Sequence, residues 1–182
     1  QGEKNENIQQ FQNVVRKDLI EKVFSQGSFQ DKVTASKLFF QDIEKNPKLN
    51  LVKEILEEID TKVIIFAFYK HSIKNLVSVL EDKDIKVACL IGDQPKESQS
   101  GNKTFFNEGK AQVIVTQLTA GKYGHTLLGT EEMPCHTTIF YENNYDLDAR
   151  VQAEARNHRH GQHYPVTYID MVGNKLDKKV II

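Results

Sequence analysis

Apolar residues recur at two different spacings in this chain, and the change from one to the other divides it. Over residues 5–26, Ile8, Phe11, Val14, Val15, Leu19 and Val23 fall at near-helical intervals. A turn-rich stretch, 25–31, follows, and Leu38, Phe39, Phe40 and Ile43 then predict a second short helix. Leu49, Val52, Ile55, Leu56 and Ile59 mark an amphipathic helix. Beyond it the apolar residues condense into runs suited to buried parallel strands, at 63–68, 87–91, 113–115, 138–141 and 166–172. Helix-length segments lie between them, near 70–82, 95–108 and 147–159. This alternation predicts an open, mostly parallel, three-layer α/β domain with an extra helical segment before it. Right-handed crossovers would set the strand C-termini along one edge, where ligands bind.

At 182 residues the chain is long enough for a sizeable core, and 39% apolar with 27% charged residues is ordinary for a water-soluble domain. No apolar run could span a bilayer, and the N-terminal QGEKNENIQQ lacks a signal-peptide pattern, so a cytoplasmic protein is expected, or a nuclear one in a eukaryote. Lys, Asn and Ile usage hints at an AT-rich bacterial or phage genome. Cys89 and Cys135 make no disulfide framework and read as buried thiols. The net charge of −1 confines any nucleic-acid contact to a local patch.

The densest chemistry lies in residues 152–162, QAEARNHRHGQ. Arg156 and Arg159 stand three apart on what reads as a helix, hence on one face, and each carries a planar fork of donors suited to phosphate oxygens. Taken alone, such a pair is more often a solvated basic face. His158, His160 and His163 crowd the same stretch. Their spacing suits one helical face poorly and no Cys or carboxylate pattern accompanies them, so no metal site is expected.

The whole string resembles motif VI of the Swi/Snf-type ATPases of helicase superfamily two, close to Q-A-x-D-R-x-H-R-I-G-Q. Gln152, Ala153, Arg156, His158, Arg159, Gly161 and Gln162 match, while Ala155 replaces the usual Asp and His160 the usual Ile. Upstream, TAGKYGHTLL is similar to the family's motif V through Ala120, Gly121, Gly124, Thr126 and Leu127, with Lys122 in place of a small residue. Between them, FYENNYDLDARVQAEAR (Phe140 to Arg156) resembles the family's strand that ends in an acidic–aromatic turn before motif VI, with Tyr145 and Asp146 where many members carry Trp-Asn. KVIIFAFYKHSIKNL looks like motif IV. The likeness covers about 47–182 and is nearest in flavour to annealing helicases and phage or bacterial relatives; residues 1–46 match no motif.

The resemblance implies a RecA-like second lobe at 47–182, preceded by a helical extension or inter-lobe segment at 1–46. There is no GxxxxGK[ST] loop and no Asp-Glu-x-His motif, so ATP and Mg2+ would be held mainly by a first lobe elsewhere in the polypeptide. The chain is thus expected to be a piece of a longer protein, inactive as an ATPase by itself. In family terms Arg159 would be the finger on the transferring phosphoryl and Arg156 its partner or clamp. Gln152 would couple motif VI to motif V, with Gly124 and Gln162 in nucleotide coupling. Thr119, Ala120, Gly121, Lys122, Lys70 and His71 would grip duplex DNA phosphates. Two alternatives stay open: the second lobe of another superfamily-two helicase or a restriction translocase, and a non-catalytic interaction domain.

Overall fold

The computed structural model describes residues 46–118, 126–144 and 146–173. The chain divides into two compact units, Gln1–Asn46 and Pro47–Ile182, and every element named below belongs to the second. The helices expected within 5–43, the glycine-bearing loop at 119–125, Tyr145 and the last residues from 174 lie outside the described residues.

The elements alternate as the apolar spacing requires: α1 (Pro47–Glu57), β1 (Lys62–Ala67), α2 (Lys70–Glu81), β2 (Val87–Leu90), α3 (Lys96–Asn107), β3 (Val113–Gln117), β4 (Cys135–Phe140), α4 (Leu147–Glu154) and β5 (Thr167–Asp170). The strands form one sheet in the order β2-β3-β1-β4-β5, and every pairing is parallel. The central strand β1 is buried along its whole length, which is why its sequence reads as an unbroken apolar run rather than an alternating one.

The two faces of the sheet are covered by different helices. Ile64, Phe66, Ala88, Leu90 and Ile114 on one face pack with Phe106 of α3 and Ala149 and Ala153 of α4. α2 runs against β1, β2 and β3 and meets Cys89, which points away from that cluster. It buries Ile73, Leu76, Val79 and Leu80, an i, i+3, i+4 stripe. α2 and α3 lie on opposite faces because the chain moves outward past β3 in one crossover and steps back in the next, with the same hand each time.

At the foot of β1 the sheet buries a lysine that the apolar reading overlooked. Lys62 is fully buried, donates to the Ala111 carbonyl and lies 4.9 Å from the Phe106 ring centre. Burial pulls its ammonium below the usual lysine range. Among the described residues no helix is long and apolar enough to cross a membrane.

One expected element ends early. α4 stops at Glu154, not near 159, and Ala155 is its C-cap. The next bonds are of another kind: the Arg156 amide donates to Ala153, three residues back, and Asn157 turns inward to bond Thr138. Tertiary burial of a poor helix former has ended the helix where propensity left the matter open.

Candidate functional site

Because α4 ends at Glu154, Arg156 and Arg159 do not share a helical face. Both lie on the irregular turn beyond it, and they are held differently. Arg156 is 4% exposed, whereas Arg159 reaches solvent. Burial first, and the neighbouring Arg159 charge second, lower the pKa of the Arg156 guanidinium. Its carbonyl accepts from the Leu127 amide at 3.1 Å, and Arg159 Nη1 donates to Thr126 Oγ1 at 2.9 Å. The two arginines thus tie the turn to the segment that follows the glycine-bearing loop.

The turn is fastened to the foot of β4 by side chains that the chemistry-first reading undervalued. Gln162 Nε2 donates to the carbonyls of Cys135 (2.9 Å) and Asn157 (3.1 Å), and its Oε1 accepts from the Tyr164 amide. Asn157 is fully buried, donating to Thr138 Oγ1 at 3.0 Å while its Oδ1 has no partner among the described residues. Gly161 closes the turn at φ 95°, a backbone state that any side chain would strain. Gln152 is exposed on α4, and the described contacts between the two segments run through Arg156 and Arg159. Thr119, Ala120, Gly121, Lys122 and Gly124 lie outside the described residues.

Lys70 and His71 stand at the other end of the sheet. They open α2, just past the C-terminal end of β1, whereas the arginine turn is stapled to Cys135, where β4 begins. A strand of this length separates the two ends by about 16–20 Å. The structure therefore groups the candidate residues into two sets, not one. Lys70 forms an exposed ion pair with Asp93 from the loop after β2. His71 stacks on Tyr69, ring centres 5.4 Å apart. Among the described residues no three His, Cys, Asp or Glu side chains come together as a metal would require.

At the C-terminal strand ends, beside the Lys70 turn, lies the point where the chain's crossovers diverge: β1 leads toward β3 and β2, β4 toward β5. In open α/β sheets the crevice outside the strand ends at such a point is the usual ligand position. Here a carboxylate fills it. Glu142 Oε2 accepts from the amides of Phe68 and Tyr69, each at 2.9 Å, and Oε1 from the Ser72 hydroxyl at 2.6 Å. Beside it Arg150 grips Asp170 two-pronged (2.5 and 3.0 Å), bonds Glu154 and Asn143, and lies 3.5 Å over the Phe140 ring.

The model of the helicase conserved C-terminal domain matches residues 47–161, well over half of the chain. This chain belongs to that family. It is a helicase C-terminal lobe of superfamily two. Over 110 residues, 60% of the chain, it is 30% identical to the ATP-dependent RNA helicase RhlB of Shewanella woodyi, and similarly over 111 residues to that of Shewanella sediminis. The lobe spans only 22% and 23% of those relatives' lengths. Among solved structures it resembles the C-terminal part of the Fun30 ATPase domain, with TM-score 0.69 and 22% identity over 77% of this chain and 46% of that one. It also resembles the C-terminal domain of the DEAD-box protein Dbp5, with TM-score 0.63 and 18% identity over 74% of each. These likenesses establish the RecA-like fold.

Proposed function

We propose that this lobe completes the ATP site of a DNA-dependent ATPase or translocase of Swi/Snf type, closing on a first lobe of the same polypeptide. The observation that carries the proposal is the contrast within the arginine turn: Arg159 is exposed and held at Thr126, while Arg156 is buried beside it. Arg159 has five N–H donors, and its bond to Thr126 Oγ1 employs one of them. An exposed guanidinium fork of this kind suits the oxygens of a transferring phosphoryl group, whose developing charge it would stabilise. Arg156 would set the loop against which Arg159 is braced, and Gln162 would hold the turn at its height over β4. Gln152 and Gly124 would relay closure between this turn and the loop at 119–125.

The residues present suit the outer phosphate oxygens of ATP. They do not suit magnesium, because no carboxylate cluster faces the arginine turn among the described residues. The metal and the ground-state nucleotide would be held by the first lobe, and this chain alone would hydrolyse no ATP. Lys70 and His71, at the opposite end of the sheet, would contact the sugar–phosphate backbone together with residues 119–122, and such contacts carry little sequence information.

The nucleic acid has a second candidate. The sequence relatives are named as RNA helicases, and backbone contacts of this kind accept either polymer. The match at seven of eleven motif VI positions favours duplex DNA.

The test is Arg159→Ala in the full-length protein. Nucleic-acid-stimulated ATP hydrolysis should fall by about 10³-fold or more, with nucleotide affinity changing only a few-fold, because the arginine acts mainly on the transition state. Arg159→Lys should rescue little, since an ammonium cannot reproduce the fork. Wild-type turnover by Arg159→Ala would remove this turn from the active site.

A further inference from the structure

We infer that Glu142 is a positioning residue for nucleic-acid binding, holding the turn Phe68–Ser72 at the head of α2 by its reach and not by its charge. This rests on the reading of Lys70 and His71 as backbone contacts. The geometry has three parts.

First, the carboxylate satisfies three donors from one turn: the amides of Phe68 and Tyr69 and the hydroxyl of Ser72. α2 has no capping bond from its own N-cap residue Tyr69, and among the described residues the side chain on these donors comes from just past the end of β4, seventy or more positions away in sequence. Such a long-range cap fixes where the helix begins relative to the sheet, as a local cap cannot.

Second, the residues that would touch phosphates are borne by this same turn. Lys70 and His71 lie between Tyr69 and Ser72, so both flanks of the pair are pinned by one carboxylate. The turn is anchored from below as well, where Gln117 Nε2 donates to the Phe68 carbonyl at 3.3 Å.

Third, Glu142 is itself rigidly placed. The Tyr141 and Glu142 amides both donate to the Phe66 carbonyl, at 2.8 and 3.4 Å. The next residue, Asn143, is bonded to Asp170 and Arg150. The pin is therefore a continuation of β4, and the turn it holds is registered to that strand.

Charge works against binding here. A carboxylate at the crevice repels phosphate, and Asp93 already engages Lys70. If Glu142 contributes to grip, it must do so by placing its neighbours. Two substitutions separate reach from charge. Glu142→Gln keeps the length and the acceptor oxygen for the amides, can donate to Ser72 Oγ, and loses the charge. Glu142→Asp keeps the charge but is one methylene too short to serve all three donors.

The experiment is fluorescence anisotropy of the full-length protein with a labelled DNA duplex, and in parallel an RNA strand of the same sequence. The nucleic-acid concentration for half-maximal ATPase stimulation is measured beside it. Glu142→Gln should bind as the wild type does or up to about threefold tighter, and Glu142→Asp about tenfold weaker. Half-stimulation should shift in step with binding, and the nucleotide KM should move less than twofold. Ser72→Ala, which removes one of the three donors, should weaken binding about twofold. The reverse ranking, with Glu142→Asp intact and Glu142→Gln weakened, overturns the inference, as does wild-type binding by both variants. Failure of the wild-type protein to bind either polymer would overturn the nucleic-acid reading, and this inference with it.

Discussion

Asp170→Asn should expose how far the folding of this lobe depends on one partly buried ion pair. Arg150 and Asp170 meet through two parallel bonds of 2.5 and 3.0 Å, and Asn143 adds a third to the same carboxylate at 2.8 Å. Their side chains are 19% and 22% exposed, between a surface pair and a buried one. Exposed pairs contribute at most about 1 kcal/mol, whereas breaking a fully buried one costs about 3–5 kcal/mol. An intermediate loss of about 2 kcal/mol is expected, because the guanidinium keeps Glu154 and the Phe140 ring. That corresponds to a drop of about 4–8 °C in Tm for a domain of this size. The pH dependence fixes the cause. Burial alone would raise the Asp170 carboxyl, but bonds from Arg150 and Asn143 and the Arg150 charge hold it below the ordinary value. A carboxyl whose folded pKa is depressed stabilises the fold fully above its unfolded pKa of about 3.9, and loses that contribution as pH falls through the folded value. The gap between wild type and Asp170→Asn should therefore be full at neutral pH and shrink below about pH 4. The chain has no tryptophan, so urea titrations followed by far-UV circular dichroism provide the assay. Equal stability at neutral pH, or a gap that survives unchanged into acid, would refute the reasoning.

Three further outcomes are expected. Gly129→Ala should destabilise the lobe by about 2–4 kcal/mol in the same titration, because φ is 72° and an added Cβ would sit 2.3 Å from the Met133 carbonyl oxygen and 2.8 Å from the buried Lys62 chain. Asp93→Asn should free Lys70 for phosphate, tightening nucleic-acid binding about two- to threefold and steepening its salt dependence; an unchanged affinity would remove Lys70 from the interface. Iodoacetamide should leave Cys135 untouched in the native protein and modify it on unfolding, since burial pushes that thiol up to about 12; rapid native labelling, read by mass spectrometry, would contradict the described packing.

The three central strands, β1, β3 and β4, were legible because they are buried on both faces or nearly so, and such runs leave little choice of structure. Val63–Ala67 and Val113–Val115 are examples, and the sequence expectation for them is off by two residues at most. The site was legible as composition but not as geometry. Spacing of i, i+3 places two arginines on one face only while a helix lasts, and whether it lasts past Glu154 is decided by Asn157 reaching Thr138, nineteen positions away. Glu142 was visible as an acidic residue after a strand, yet its partners are at Phe68–Ser72, and nothing local announces them. Lys62 was hidden for the opposite reason: a lysine at the mouth of an apolar run looks like a strand boundary, although the Ala111 carbonyl brings it inside.

β4 is tethered at both extremities, by Gln162 at its start and by the Glu142 pin just past its end, with Asn157 bonded midway at Thr138. The groups so attached face water about 16–20 Å apart, some two screening lengths at physiological ionic strength. A charge arriving at Lys70 is therefore felt at Arg159 at roughly a tenth of its unscreened strength. Electrostatics cannot carry a message between these ends. If occupancy at one end is coupled to the other, the coupling would have to travel through the strand, and the stiffness of β4 would then set how faithfully a shift is passed along.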